Sequence, residues 1–129
     1  MKYRIALGVL AAAAATAAIA APRPVMVANN NDGICTVTGE VVNLSMRRDD
    51  YLSVRAGPAV RERELDRLHS GFEVMICDAT ANNAWYGVVY NRTGNQDCFI
   101  GQTSTQRRPY RGPCRFGWVS ARYLRIDRG

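Results

Sequence analysis

The chain holds one lysine, Lys2, and one histidine, His69. A single histidine leaves few ways to build a nucleophile, a base and a group to orient that base. His69 lies between Leu68 and Ser70-Gly71, which reads as an exposed turn. Zinc is equally short of ligands. The four cysteines contain no C-x-x-C pair, so a four-thiolate site lacks its spacing. Asp49-Asp50 lacks the spaced oxygen ligands of a calcium loop. There is no glycine-rich phosphate loop, and no carboxylate pair is marked out for glycosidase work. Arg61-Glu62-Arg63-Glu64-Leu65-Asp66 reads as a solvated, self-compensating face. These absences argue against an enzyme, a metal or a cofactor.

Long apolar runs are also missing, with one exception at the start. Lys2 and Arg4 precede a mostly alanine stretch over residues 5–18, and Ala18-Ile19-Ala20 is a small-x-small site. Residues 1–20 therefore read as a secretory signal cleaved after Ala20. The expected location is periplasmic or extracellular, with no membrane span once the signal is removed. Cys35 follows Asp32-Gly33-Ile34, which is not the context of a lipid-modified cysteine. Export makes Cys35, Cys77, Cys98 and Cys114 an even set in an oxidising compartment, so disulfides are expected. Three pairings are open. The favoured one joins Cys98 to Cys114, stapling a turn-rich insertion, and Cys35 to Cys77, tying the N-terminal arm to a central strand.

Removing Lys2 and Arg4 from the 17 basic residues leaves 15 against 11 acidic, a net of +4. All the remaining basic residues are arginine, whose planar fork suits carboxylates and phosphates. A compositional bias of the genome explains the global preference better. It does not explain where the arginines sit.

Residues 21–33 carry two prolines and a run of asparagines, and read as a flexible leader. Residues 35–44 alternate as a first strand. Leu52 and Val54 share a face by the two-residue period, and Gly57-Pro58 ends that strand. Residues 62–68 look helical but are too short for a stable helix. Phe72, Val74 and Ile76 alternate with Glu73, Met75 and Cys77 as a strand, and residues 85–90 form the next. Residues 91–112 are long, polar and rich in turn residues. Phe116 to Val119 is a closing strand, followed by one 3-10 turn and a last short strand. The expectation is an all-β domain of five to six short strands, over residues 34–129.

Several pieces of this pattern resemble the bacterial SH3-like (SH3b) family. They are Leu52-Ser53-Val54-Arg55-Ala56-Gly57-Pro58, then Leu68, Gly71 and Val74, then Trp85 with Val88 or Val89, and lastly Gly117-Trp118-Val119 with Tyr123-Leu124. The resemblance covers residues 52–124. It implies a small SH3-like barrel with a 3-10 turn before the last strand, used for binding at the cell envelope. It also makes residues 62–68 a connecting loop and short strand. The chain departs from the family at about residues 91–115, a long insertion holding two of the cysteines. No hydrolase domain accompanies the module, so the family's wall-targeting role does not transfer directly.

Arg107, Arg108, Arg111, Arg115, Arg122 and Arg125 fall within residues 103–126, which contain no Asp or Glu. Tyr110, Trp118 and Tyr123 are interleaved. Trp85 and Trp118 are expected to pack structurally. The expected binding contacts are Arg107, Arg108, Tyr110, Arg111 and Arg115, facing an anionic partner in an uncancelled positive field. A solvated loop edge is the competing reading. By resemblance the partner is peptidoglycan or another anionic envelope ligand. The alternative is an interaction or inhibitor module docking on another exported protein through the 98–114 loop. Export and the modest charge argue against nucleic acid.

Overall fold

The computed structural model describes residues 8–9, 22–28, 35, 37–45, 50–93, 97–100 and 106–127. Apart from Gly8 and Val9, the expected signal segment lies outside the described residues. The same holds for residues 21 and 29–33 of the expected leader.

The fold is all-β. Its strands are β1 (Met26–Val27), β2 (Val37–Val41), β3 (Leu52–Arg55), β4 (Glu64–Leu68), β5 (Glu73–Ala79), β6 (Trp85–Tyr90), β7 (Arg108–Pro109), β8 (Arg115–Ser120) and β9 (Leu124–Asp127). A 3-10 turn, Ala121–Tyr123, precedes β9 as expected. Residues 62–68 contribute strand β4, not a helix.

Seven strands form one antiparallel sheet in the order β4-β3-β8-β6-β5-β2-β9. This corrects the expected closed barrel of five to six strands. The sheet has two edges, β4 and β9, and β1 with β7 forms a separate two-stranded ribbon. The sheet nonetheless curls, because every one of its strands contributes to one inner cluster. Leu52 and Val54, Leu68, Val74, Val88, Val119, Val41 and Leu124 meet there. Tyr90 joins them and meets Phe72 edge-on at 5.6 Å.

The period of two sends the alternate residues to the opposite face, and that face is covered too. Val89 of β6 and Trp118 of β8 pack there with Cys77, Val25, Val27, Tyr110, Cys98 and Cys114. The cover is the N-terminal arm together with the insertion. Over residues 25–28 the expected flexible leader is packed structure: Val25 is 0% and Val27 2% exposed. Its ties are specific. The Arg23 N–H donates to Ala56 O at 2.9 Å, and Tyr110 N–H donates to Val25 O at 2.8 Å. Trp118 Nε1 donates to Arg23 O at 2.9 Å. Gly87 makes the close approach possible, since a Cβ there would lie 2.8 Å from Asp78 Cβ and 3.1 Å from a Val25 methyl.

Both disulfides belong to this outer layer, with the favoured pairing. Cys35–Cys77 and Cys98–Cys114 span 4.2 and 5.2 Å between Cα atoms. Cys77 sits where the β5–β6 register shifts, between Ile76 and Asp78. The next residue, Asp78, is a buried carboxylate. It is compensated by the Met26 N–H at 3.1 Å, the Ala79 N–H at 2.8 Å and Arg107 Nη2 at 3.0 Å. One acid thus fastens both arm and insertion to the sheet. Among the described residues no helix is long and apolar enough to cross a membrane.

Candidate functional site

The five residues expected to form a binding face are placed in different roles. Arg107 is the ion-pair partner of buried Asp78. Arg115 lies 3.5 Å from Asp66 across the sheet. Tyr110 is buried, 4% exposed. Its hydroxyl donates to Cys98 O at 2.8 Å and accepts the Cys114 N–H at 3.1 Å. Burial holds this phenol above its ordinary pKa, against the opposing Cys114 hydrogen bond. Tyr110 therefore braces the insertion from within. Arg108, Tyr110 and Arg111 line a small cavity of about 200 Å³.

The positive field of this segment is cancelled in part. The acids absent from residues 103–126 arrive from β2, β4 and β5. Arg125 pairs with Glu40, Arg115 with Asp66 and Arg107 with Asp78. Asp66 is the most heavily bonded of them. It accepts from Tyr90 Oη at 2.7 Å and from Arg92 Nε and Nη2 at 3.0 and 2.8 Å. Burial pushes its carboxyl up, but the Arg92, Tyr90 and Arg67 hydrogen bonds outweigh this and bring it down to about 2. Burial and the bond to Asp66 both push the Tyr90 phenol up. Nearby Glu64 is lowered by hydrogen bonds from Ser53 and Arg67.

A second concave feature lies elsewhere among the described residues. An open groove of about 500 Å³ runs along the start of β3 and past the Trp85–Ser120 end of the β6–β8 ladder. Three half-buried rings line it: Tyr51, Trp85 and Tyr123. Asn43, Asp50, Ser53, Arg55 and Ser120 supply the polar groups. Several are already engaged. Ser53 donates to Glu64 at 2.6 Å, and Arg55 donates to Glu62 O at 3.1 Å. Arg67 stacks over Tyr51 at 4.1 Å and Arg122 over Tyr123 at 5.4 Å, steadying two of the rings. One group is not engaged. Asp50 Oδ2 is shielded from solvent and has no hydrogen-bond partner among the described residues. A buried acceptor without a donor is costly, about 1–3 kcal/mol. A ligand that brings an N–H or O–H to Asp50 removes that cost.

Sequence reasoning missed this groove. Its residues come from four separated segments that only the sheet order brings together. The expectation that Trp118 is structural agrees with its complete burial. Trp85 is half-buried, touches the outer cluster and also lines the groove. His69 is exposed, with Nδ1 3.2 Å from Asp50 O. Among the described residues no three His, Cys, Asp or Glu side chains gather as a metal site. Compared with known proteins, the chain finds no matching family model, no matching curated protein and no matching solved structure.

Proposed function

We propose that this protein is an exported, non-catalytic SH3-like module that binds a cell-envelope ligand in the Tyr51–Trp85–Tyr123 groove. The observation that carries the reading is the groove itself: three rings line it together with Asp50, whose Oδ2 has no hydrogen-bond partner among the described residues. Flat aromatic faces suit sugar rings and peptide planes, and few polar groups then fix orientation. Peptidoglycan offers both surfaces, along with hydroxyl and amide donors for Asp50. It is also the ligand that the SH3-like resemblance implies. Two disulfides support an oxidising, exported location. The test is co-sedimentation with insoluble peptidoglycan. The wild-type protein should pellet with it, and Trp85→Ala and Tyr51→Ala should each weaken binding at least about tenfold while keeping a cooperative melt. Equal pelleting of parent and both variants would remove the groove from the account.

A second reading, docking onto another exported protein, has its own support. Phe99 is 52% exposed on the disulfide-braced loop and holds a left-handed backbone, φ 54°. Backbone of this kind in a bulky residue is uncommon and often accompanies function. A pre-braced loop loses little entropy on docking.

A further inference from the structure

We infer that the cavity formed by Arg108 and Arg111 beside Phe99 is a separate site for a small oxyanion, the carboxylate or phosphate group of a ligand. Arg108 stands on the ribbon opposite Val27. Its Nη1 is shielded from solvent and has no hydrogen-bond partner among the described residues. A guanidinium has five donors and no acceptor, so only an acceptor can satisfy that nitrogen. The acids at hand are otherwise engaged. Asp78 takes Met26 and Arg107, and Asp97 accepts the Phe99 N–H at 2.8 Å. Arg111 lines the same cavity and is exposed, supplying a second positive charge.

The walls favour such a ligand. Val27, Phe99 and Pro109 are apolar, which strengthens a charged hydrogen bond between them. Behind Arg111 the chain is held tightly. A Cβ on Gly112 would fall 2.7 Å from Cys98 O and closer still to the Tyr110 hydroxyl, so glycine is required there. Tyr110 and the Cys98–Cys114 bridge thus set the position of both arginines before any ligand arrives. At about 200 Å³ the cavity admits an acetate-sized or phosphate-sized group, not a whole sugar chain. The site does not depend on the groove. Trp85 and Ser120 lie at one end of the β6–β8 ladder, whereas Tyr110 packs on Phe116 near the other, at 5.5 Å.

Sodium acetate and inorganic phosphate provide the probes, titrated into isotope-labelled protein at constant ionic strength with chloride as control. At least one should give saturable shifts in the Arg108 side chain and in the Tyr110, Arg111 and Gly112 amides. Response to acetate alone identifies a carboxylate ligand, and response to phosphate alone identifies a phosphate. Arg111→Ala should weaken binding about tenfold, the loss of one charge-assisted hydrogen bond. Trp85→Ala should leave the anion response intact, which separates this site from the groove. Linear shifts matched by chloride, or an Arg111→Ala affinity equal to the parent's, would overturn the inference.

Discussion

Replacing Asp66 by Asn should uncover an acid-sensitive clamp on the edge of the sheet. Asp66 lies on edge strand β4. Its carboxylate collects Tyr90 from β6 and Arg92 just beyond it, with Arg115 of β8 at 3.5 Å. Asn keeps one acceptor oxygen for the Tyr90 hydroxyl, and removes the charge together with the oxygen that accepts the Arg67 N–H and Arg92 Nη2. In the folded state the carboxyl falls from an ordinary 3.8 to about 2. That difference corresponds to a ceiling of about 2 kcal/mol. Arg92 and Arg115 are 37% and 59% exposed, so solvent screening lowers the expected value to about 1 kcal/mol. The sign follows from the depressed folded-state value. The stabilisation is complete above the unfolded-state value, and it disappears as pH falls through about 2. Urea unfolding at pH 7 should therefore show Asp66→Asn less stable by about 1 kcal/mol. At pH 2 and below the two curves should draw together, because a protonated Asp and an Asn are nearly equivalent. A gap that is absent at pH 7, or equally large in strong acid, would refute the clamp.

Other outcomes follow from the outer layer. Trp118→Ala should cost about 3–5 kcal/mol by urea or thermal unfolding, because the ring is fully buried and its Nε1 holds the Arg23 carbonyl. Replacing Cys98 and Cys114 together by Ser should lower stability by about 3 kcal/mol for a closure of 16 residues. That double variant should also expose Tyr110, which solvent-perturbation absorbance would register. Peptide mapping without reductant should recover Cys35 linked to Cys77 and Cys98 linked to Cys114, and no other pairs.

Much of the inner layer was legible in the sequence. Leu52 and Val54, or Val74 and Ile76, alternate over enough residues for the period of two to identify a strand and its buried face. Four cysteines without a metal spacing pointed to bridges. The outer layer was not legible. Val25 precedes and Val27 ends a strand of two residues that follows two prolines, too short for any period to register. Their burial depends on Gly87 and Trp118, sixty or more residues away in sequence. Charge misled for the same reason. Residues 103–126 contain no acid, yet Asp66 and Asp78 reach Arg115 and Arg107 from other strands. Tyr110 read as an exposed ring because tyrosines in polar loops usually are. Nothing local shows that its hydroxyl bridges the insertion from Cys98 to Cys114. The groove needed the sheet order itself, since Asn43, Tyr51, Trp85 and Ser120 meet only once β3, β6 and β8 are neighbours.

The central claim, a groove that takes an envelope ligand, is tested most directly by mapping soluble peptidoglycan fragments onto the isotope-labelled protein by NMR. The account predicts saturable shifts at Asn43, Tyr51, Ser53, the Trp85 indole and Ser120, with the Asp50 neighbourhood among the most perturbed. Shifts confined to Phe99 and the 98–114 loop, or no shifts at millimolar fragment, would contradict it.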